Sequence, residues 1–324
     1  MYLNKCVILF AAFALGACSS VNATLRVPAL FSDKKAYVQA RNLYEQGQYD
    51  QAIEQLTAYI YKADNVKRRE ARAYRLLGMS YAQKGKLSKA LETYLEALEF
   101  HPKNIPLLVR AAELYQQTGL TDRSMELYER ALAEEPDNLS ALSGQADNYR
   151  TMGFYSRARE FYDRFFALNP NAAAQYRARY ADTFLNQRNY RQAFINITMA
   201  LAQNNAAPDF WLISARSLYG LGRTEEALYD LDLALSLAPD RYDLLATKAL
   251  MLYHDGRYDL SRQTARQMLQ ISPENQLALF IEALNLRALG DTAQTQKILA
   301  QITALNDGSF IGKTAAQWNA SLSR

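Results

Sequence analysis

Residues 71–104 read ARAYRLLGMSYAQKGKLSKALETYLEALEFHPKN. The spacing Tyr74-x2-Leu77-Gly78-x2-Tyr81 is followed by Gly85, Ala90, Tyr94, Ala97 and Pro102. Gly85 falls between two apolar-periodic stretches, where a left-handed backbone residue ends one helix and lets the chain reverse. Pro102 falls where the second stretch must stop, because proline cannot continue a helix. The segment therefore predicts a helical hairpin: helix, glycine turn, helix, proline stop.

The same pattern extends outward in both directions. Gly85, Gly119 and Gly153 are spaced by 34 residues, and so are Gly222, Gly256 and Gly290. The phase places units at 33–66, 71–104, 105–138, 139–172, 174–207, 208–241, 242–275 and 276–309, with 67–70 and Ala173 as insertions. Position 8 of each unit is small: Ala40, Gly78, Ala112, Ala146, Ala181, Ala215, Ala249 and Ala283. Position 20 is small as well: Ala52, Ala90, Ser124, Ala158, Ala193, Ala227, Ser261 and Thr295. Small residues at both phases let the two helices of a hairpin approach closely. Position 11 is large in every unit: Leu43, Tyr81, Tyr115, Tyr149, Phe184, Leu218, Leu252 and Leu286. These residues are expected to fill the space between neighbouring hairpins. Further stops are expected at Pro136, Pro170, Pro239 and Pro273. The fifth unit carries Arg188 where the others carry the turn glycine, and Asn186 or Asn189 is expected to take the left-handed conformation in its place. Residues 310–324 hold Trp318 and Leu322 one helical turn apart, which predicts a final helix capping the last hairpin.

A period of 34 with this signature resembles the tetratricopeptide repeat. The resemblance implies an all-α, right-handed superhelical solenoid of about eight hairpins with a C-terminal cap. It also implies that first helices line a concave groove where extended peptides or helices of partner proteins lie. Carried over residue by residue, the groove positions are Arg41, Tyr44, Arg72, Arg75, Glu113, Gln117, Asp147, Arg150, Asp182, Asn186, Arg216, Tyr219, Tyr253, His254 and Arg287. The lining is mixed and polar, with tyrosines that suit interfaces through contact area and a hydrogen-bonding tip. Lys67-Arg68-Arg69, in the insertion before the second unit, reads as a solvated turn that could meet an anionic surface.

The N-terminus reads MYLNKCVILFAAFALGAC. Lys5 precedes an apolar run from Cys6 to Leu15. That run is too short for the about 20 residues of a bilayer span, but it suits a signal-peptide core. Leu15-Gly16-Ala17-Cys18 resembles the lipobox of bacterial lipoproteins. The resemblance implies a leader at 1–17 and a palmitate-bearing anchor on Cys18: diacylglycerol on the thiol and an N-acyl chain, enough for stable membrane attachment. Residues 18–32 would then be a lipidated, flexible tether reaching about 20 Å. By the sorting rule of enteric bacteria, Ser19 after the cysteine implies the periplasmic face of the outer membrane.

Other chemistries find no support in the sequence. A net charge of +4 lacks the concentrated basic surface of a nucleic-acid binder. Two histidines, His101 and His254, and two cysteines confined to the first 18 residues make no zinc or iron–sulfur pattern. No P-loop, GxGxxG, HExxH or GxSxG motif occurs. The expectation is a non-catalytic scaffold without cofactor, metal or small-molecule substrate, anchored to a membrane and binding proteins. In architecture it resembles type IV pilus pilotins and the lipoproteins of Flp/Tad pilus assembly. Pilus or secretion-system assembly is the favoured expectation; the alternative, by a similar resemblance, is a lipoprotein adaptor of peptidoglycan hydrolases or synthases or of outer-membrane protein assembly.

Overall fold

The structure, a computed structural model, describes residues 29–61, 70–305 and 308–322. The leader at 1–17, Cys18, most of the tether and Lys67-Arg68-Arg69 lie outside the described residues. The chain divides into two compact units, residues 1–93 and 94–324. The described residues are helices and their turns, without a strand.

In the first unit α1 (Ala29–Glu45), α2 (Tyr49–Ile60) and α3 (Ala71–Gln83) pack mutually, and α4 (Leu87–Phe100) begins. The first helix starts at Ala29, inside the stretch expected to be tether up to residue 32. Ala40, Ala52, Leu56, Ile60, Ala73 and Tyr74 form the buried side of this unit.

The second unit continues with α5 (Ile105–Gln117), α6 (Thr121–Glu134), α7 (Leu139–Thr151), α8 (Tyr155–Leu168), α9 (Ala174–Asn186) and α10 (Tyr190–Gln203). It ends with α11 (Pro208–Gly220), α12 (Thr224–Leu237), α13 (Tyr242–His254), α14 (Tyr258–Ile271), α15 (Gln276–Ala288), α16 (Thr292–Ala304) and α17 (Phe310–Leu322). From α5 to α17 each helix packs on the next. We call the odd-numbered helices A and the even-numbered ones B. Within this unit α5 also touches α7, α7 touches α9, α9 touches α11, and α13 touches α15, while successive B helices do not pack in this way. The A helices therefore gather along one side of the unit.

The sequence pattern explains each step. Asn104, Asn138 and Asn275 each stand two residues after a proline stop, and their side chains accept a backbone N–H of the next A helix, as in Asn275 to Ala278 at 2.9 Å. Every position-8 alanine and every position-20 residue is fully buried. The position-11 side chains are buried in the last four hairpins and half-buried in the first four.

The hairpin turns share one geometry. In the fourth, Gly153 has φ +80°, Phe154 N–H donates to the Tyr149 carbonyl (2.8 Å), and Gly153 N–H donates to that of Arg150 (3.1 Å). In the fifth the same two bonds run from Asn189 to Phe184 and from Arg188 to Leu185. Here the sequence expectation is corrected: Arg188 itself is left-handed, at φ +58°. Asn186 ends α9, and Asn189 caps α10 by accepting from Gln192 N–H. The six-residue bonding pattern fixes which residue turns, so the chain bends at Arg188 despite its Cβ. That conformation costs roughly 1–2 kcal/mol, against the roughly 0.5–1 kcal/mol of backbone freedom that a glycine gives up on folding. Arg188→Gly is therefore expected to leave stability unchanged or raise it by up to about 1 kcal/mol, read as the urea midpoint. A lowered midpoint would mean that the arginine side chain anchors the turn.

Neighbouring hairpins are also tied by polar pairs. Position 10 of one repeat meets position 20 of the one before it where those residues are Asn and Ser: Asn148 donates to Ser124 (2.9 Å) and Asn285 to Ser261 (2.8 Å), both buried. Position 7 meets the preceding position 25 in Gln145–Glu129, Tyr180–Asp163, Lys248–Asp232 and Glu282–Arg266. At the end of the array, Ala315, Trp318 and Leu322 of α17 cover Leu279, Leu299 and Ile302.

Candidate functional site

The A-helix side of the second unit carries two different kinds of surface. Over α7 and α9 the charges satisfy one another. Asp147, only 8% exposed, accepts the Tyr162 hydroxyl at 2.5 Å and pairs with Arg179 and Arg150. Arg150 reaches on to Asp182 (3.2 Å), whose carbonyl and carboxylate hold the Asn186 amide. Burial holds the Tyr162 phenol well above its ordinary pKa, and the Asp147 charge adds to the shift. Burial alone would lower Arg150, but the nearby Tyr162, Asp147 and Asp182 outweigh it and raise its pKa. This network joins two repeats, and Asp147 lies beneath the groove surface that the repeat phase assigned to it.

Over α9, α11 and α13 the surface opens into a recess of about 410 Å3. Asn186, Arg216, Tyr219 and His254, all expected groove residues, line it. Leu185, Arg188, Tyr190, Gly220, Thr247, Leu250 and Met251 complete it, and the sequence reading did not single these out as groove residues. Gly220 lets the Tyr190 ring settle against α11, since a Cβ there would meet that ring at 2.3 Å. For the residues missed, the absence of a glycine at Arg188 was the visible sign. The lining contains two guanidinium groups, one imidazole and no carboxylate.

The remaining expected groove residues do not line the recess. In the first unit Arg41 pairs with Glu45 (3.3 Å), and Tyr44 packs its ring against Tyr49. Arg72 pairs with Glu70 (2.8 Å) and lies over the Tyr37 ring, while Arg75 is exposed. In the second unit Glu113 pairs with Arg110 and Gln117 is exposed at the end of α5. Tyr253 stands between His254 and Tyr258, and Arg287 lies over the Trp318 ring.

On the B-helix side, Phe194, Leu201, Trp211 and Tyr229 line an apolar hollow of about 590 Å3 between α10 and α12. Its carboxylates are occupied: Glu225 pairs with Arg257, and Glu226 with Arg223. Burial raises the Asp230 pKa, against a hydrogen bond from Ser214. No group of three or more metal-ligating side chains occurs among the described residues, and none of their helices is long and apolar enough to cross a membrane.

Comparison with known proteins bears on the repeats. Tetratricopeptide repeat models match residues 37–105, 179–242 and 215–276, more than half of the chain, and a second such model matches 81–147. The human RANBP2-like and GRIP domain-containing protein 8 is 34% identical over 80 residues, 25% of this chain, and the match spans only 4% of that protein's length. A tetratricopeptide repeat protein from Parabacteroides merdae superimposes with a TM-score of 0.58 at 19% identity, covering 79% of this chain and 99% of its own. PilF of Pseudomonas aeruginosa gives 0.53 at 18% identity, covering 65% and 95%. YrrB, described as a repeat protein with an unusual peptide-binding site, gives 0.51 at 15% identity, covering 59% and 97%. At these identities the likeness is one of fold. Repeat phase, left-handed turns, buried small residues and matching models together place this chain in the tetratricopeptide repeat family.

Proposed function

We propose that this chain is a non-catalytic, membrane-tethered scaffold that holds protein partners against its A-helix side during cell-envelope assembly. Tetratricopeptide repeats serve as protein-interaction scaffolds and bind peptide partners in a groove. The observation that carries the reading is the open recess over α9, α11 and α13, at which Arg188, Arg216 and His254 are exposed to solvent. The tether rests on the sequence: an apolar run closing on Leu15-Gly16-Ala17-Cys18. Pilus or secretion-system biogenesis is the favoured setting, by resemblance to lipoproteins of that architecture.

Two experiments test it. Cys18→Ser should move the protein from the membrane fraction to the soluble fraction. A variant that stays membrane-bound after leader cleavage would refute the lipid anchor. Co-purification of the intact lipidated chain after mild detergent extraction should bring down secretin or pilus subunits. Recovery of peptidoglycan hydrolases or synthases instead would assign it to cell-wall regulation.

A further inference from the structure

The recess over α9, α11 and α13 differs in charge from the network over α7 and α9. Arg110, Arg150 and Arg179 are each paired with a carboxylate. The Arg188 and Arg216 side chains are both exposed, and neither makes an ion pair or hydrogen bond among the described residues. No carboxylate lines the recess to neutralise them. Arg188 also holds a left-handed conformation that the sister turns give to glycine. A residue kept in a disfavoured backbone state points to a use for its side chain. Beneath the charges the floor is apolar: Leu185 and Met251 are buried, with Leu250, Tyr190 and Tyr219 half-buried beside them.

We infer that this recess binds an acidic segment of a partner protein, Arg188 and Arg216 pairing with its carboxylates while a neighbouring apolar side chain rests on Leu250, Met251 and the two tyrosines. Guanidinium groups suit this task because their planar donors match a carboxylate. The apolar floor selects a peptide over a bare anion, which would leave that floor uncovered. The inference rests on the reading of the A-helix side as the partner-binding face and gives that face a ligand chemistry.

The test pans a phage-displayed library of random dodecapeptides against the full chain, then titrates the enriched peptides by fluorescence anisotropy. Enriched peptides should carry one or more acidic residues beside a large apolar one, and should bind more weakly as salt screens the charges. Arg216→Ala and Arg188→Gly should each weaken binding by about tenfold, the order expected for one charge-assisted contact. Arg191→Ala removes the same charge from a nearby surface outside the recess and should leave affinity within about twofold, the scale of a screened surface charge. Because Arg188→Gly relieves the turn, its loss of binding should come without loss of thermal stability, which separates recognition from folding. Enrichment of peptides without acidic residues, or equal weakening by all three variants, would overturn the inference and leave the scaffold reading standing. A wild-type chain that enriches no peptide would refute both.

Discussion

Tyr162→Ala is expected to lower the unfolding free energy of the second unit by about 4 kcal/mol. The ring is fully buried and stacks among aromatic neighbours, with centroids 5.5 Å from Tyr180 and 6.4 Å from Phe166. Truncation leaves a cavity that helices packed on both sides cannot close. It also strips Asp147 of its 2.5 Å hydroxyl donor, leaving a carboxylate 8% exposed to face Arg150 and Arg179 alone. Tyr162→Phe keeps the ring and removes only the hydroxyl, so its cost should be nearer 1–2 kcal/mol, about that of one buried hydrogen bond to a charged group. Urea titration followed by circular dichroism compares the two. In an array where each repeat leans on its neighbours, hydrogen exchange should quicken first in α7, α8 and α9. Loss of less than about 1 kcal/mol in the alanine variant would mean that the ring is not the core residue described here.

Asp147 also marks the limit of reading this fold from its sequence. The glycine and small-residue phases are legible because each reflects a steric demand repeated in every hairpin, and helices separated by 34 or 35 residues from Ala71 to Gln276 express it. The groove reading assumed that every hairpin presents the same positions in the same way. At the position of Tyr162 the first, fifth and sixth repeats carry Leu56, Ile197 and Leu231, which need no partner, while the second and third carry Tyr94 and Tyr128. A buried phenol needs an acceptor, and the nearest A helix supplies Asp147, which turns inward. The tyrosine was a partial signal, since Tyr94 and Tyr128 hold the same position in repeats without an aspartate at position 9. Asn148 and Asn285 carried a similar one, since each follows a repeat with Ser instead of Ala at position 20. The apolar floor of the recess was not legible. Leu250 and Met251 share a recess with Tyr190, two hairpins earlier, only through the rotation of successive hairpins, which no periodicity within a repeat encodes.

Gly144→Val is expected to cost about 3 kcal/mol, at the upper end for forced overpacking. Gly144 lies inside α7, where helix propensity alone would favour almost any other residue. A Cβ there would sit 2.2 Å from Cζ of Tyr128 and 2.5 Å from its hydroxyl oxygen. Tyr128 is only 1% exposed, so its ring has no solvent to swing into. Either α6 and α7 separate or the ring leaves its rotamer, and each choice undoes packing elsewhere. The contrast is Gly153, whose added Cβ would meet nothing within 4 Å but whose φ is +80°. Gly153→Val strains only the backbone, for about 1–3 kcal/mol, and a change at residue 128 should not relieve it. The two mechanisms separate in double variants. Tyr128→Leu should recover more than half of the loss caused by Gly144→Val and none of that caused by Gly153→Val, because only the first pair shares a contact. Strict additivity in both pairs would show that Gly144 is not kept small by the ring of Tyr128.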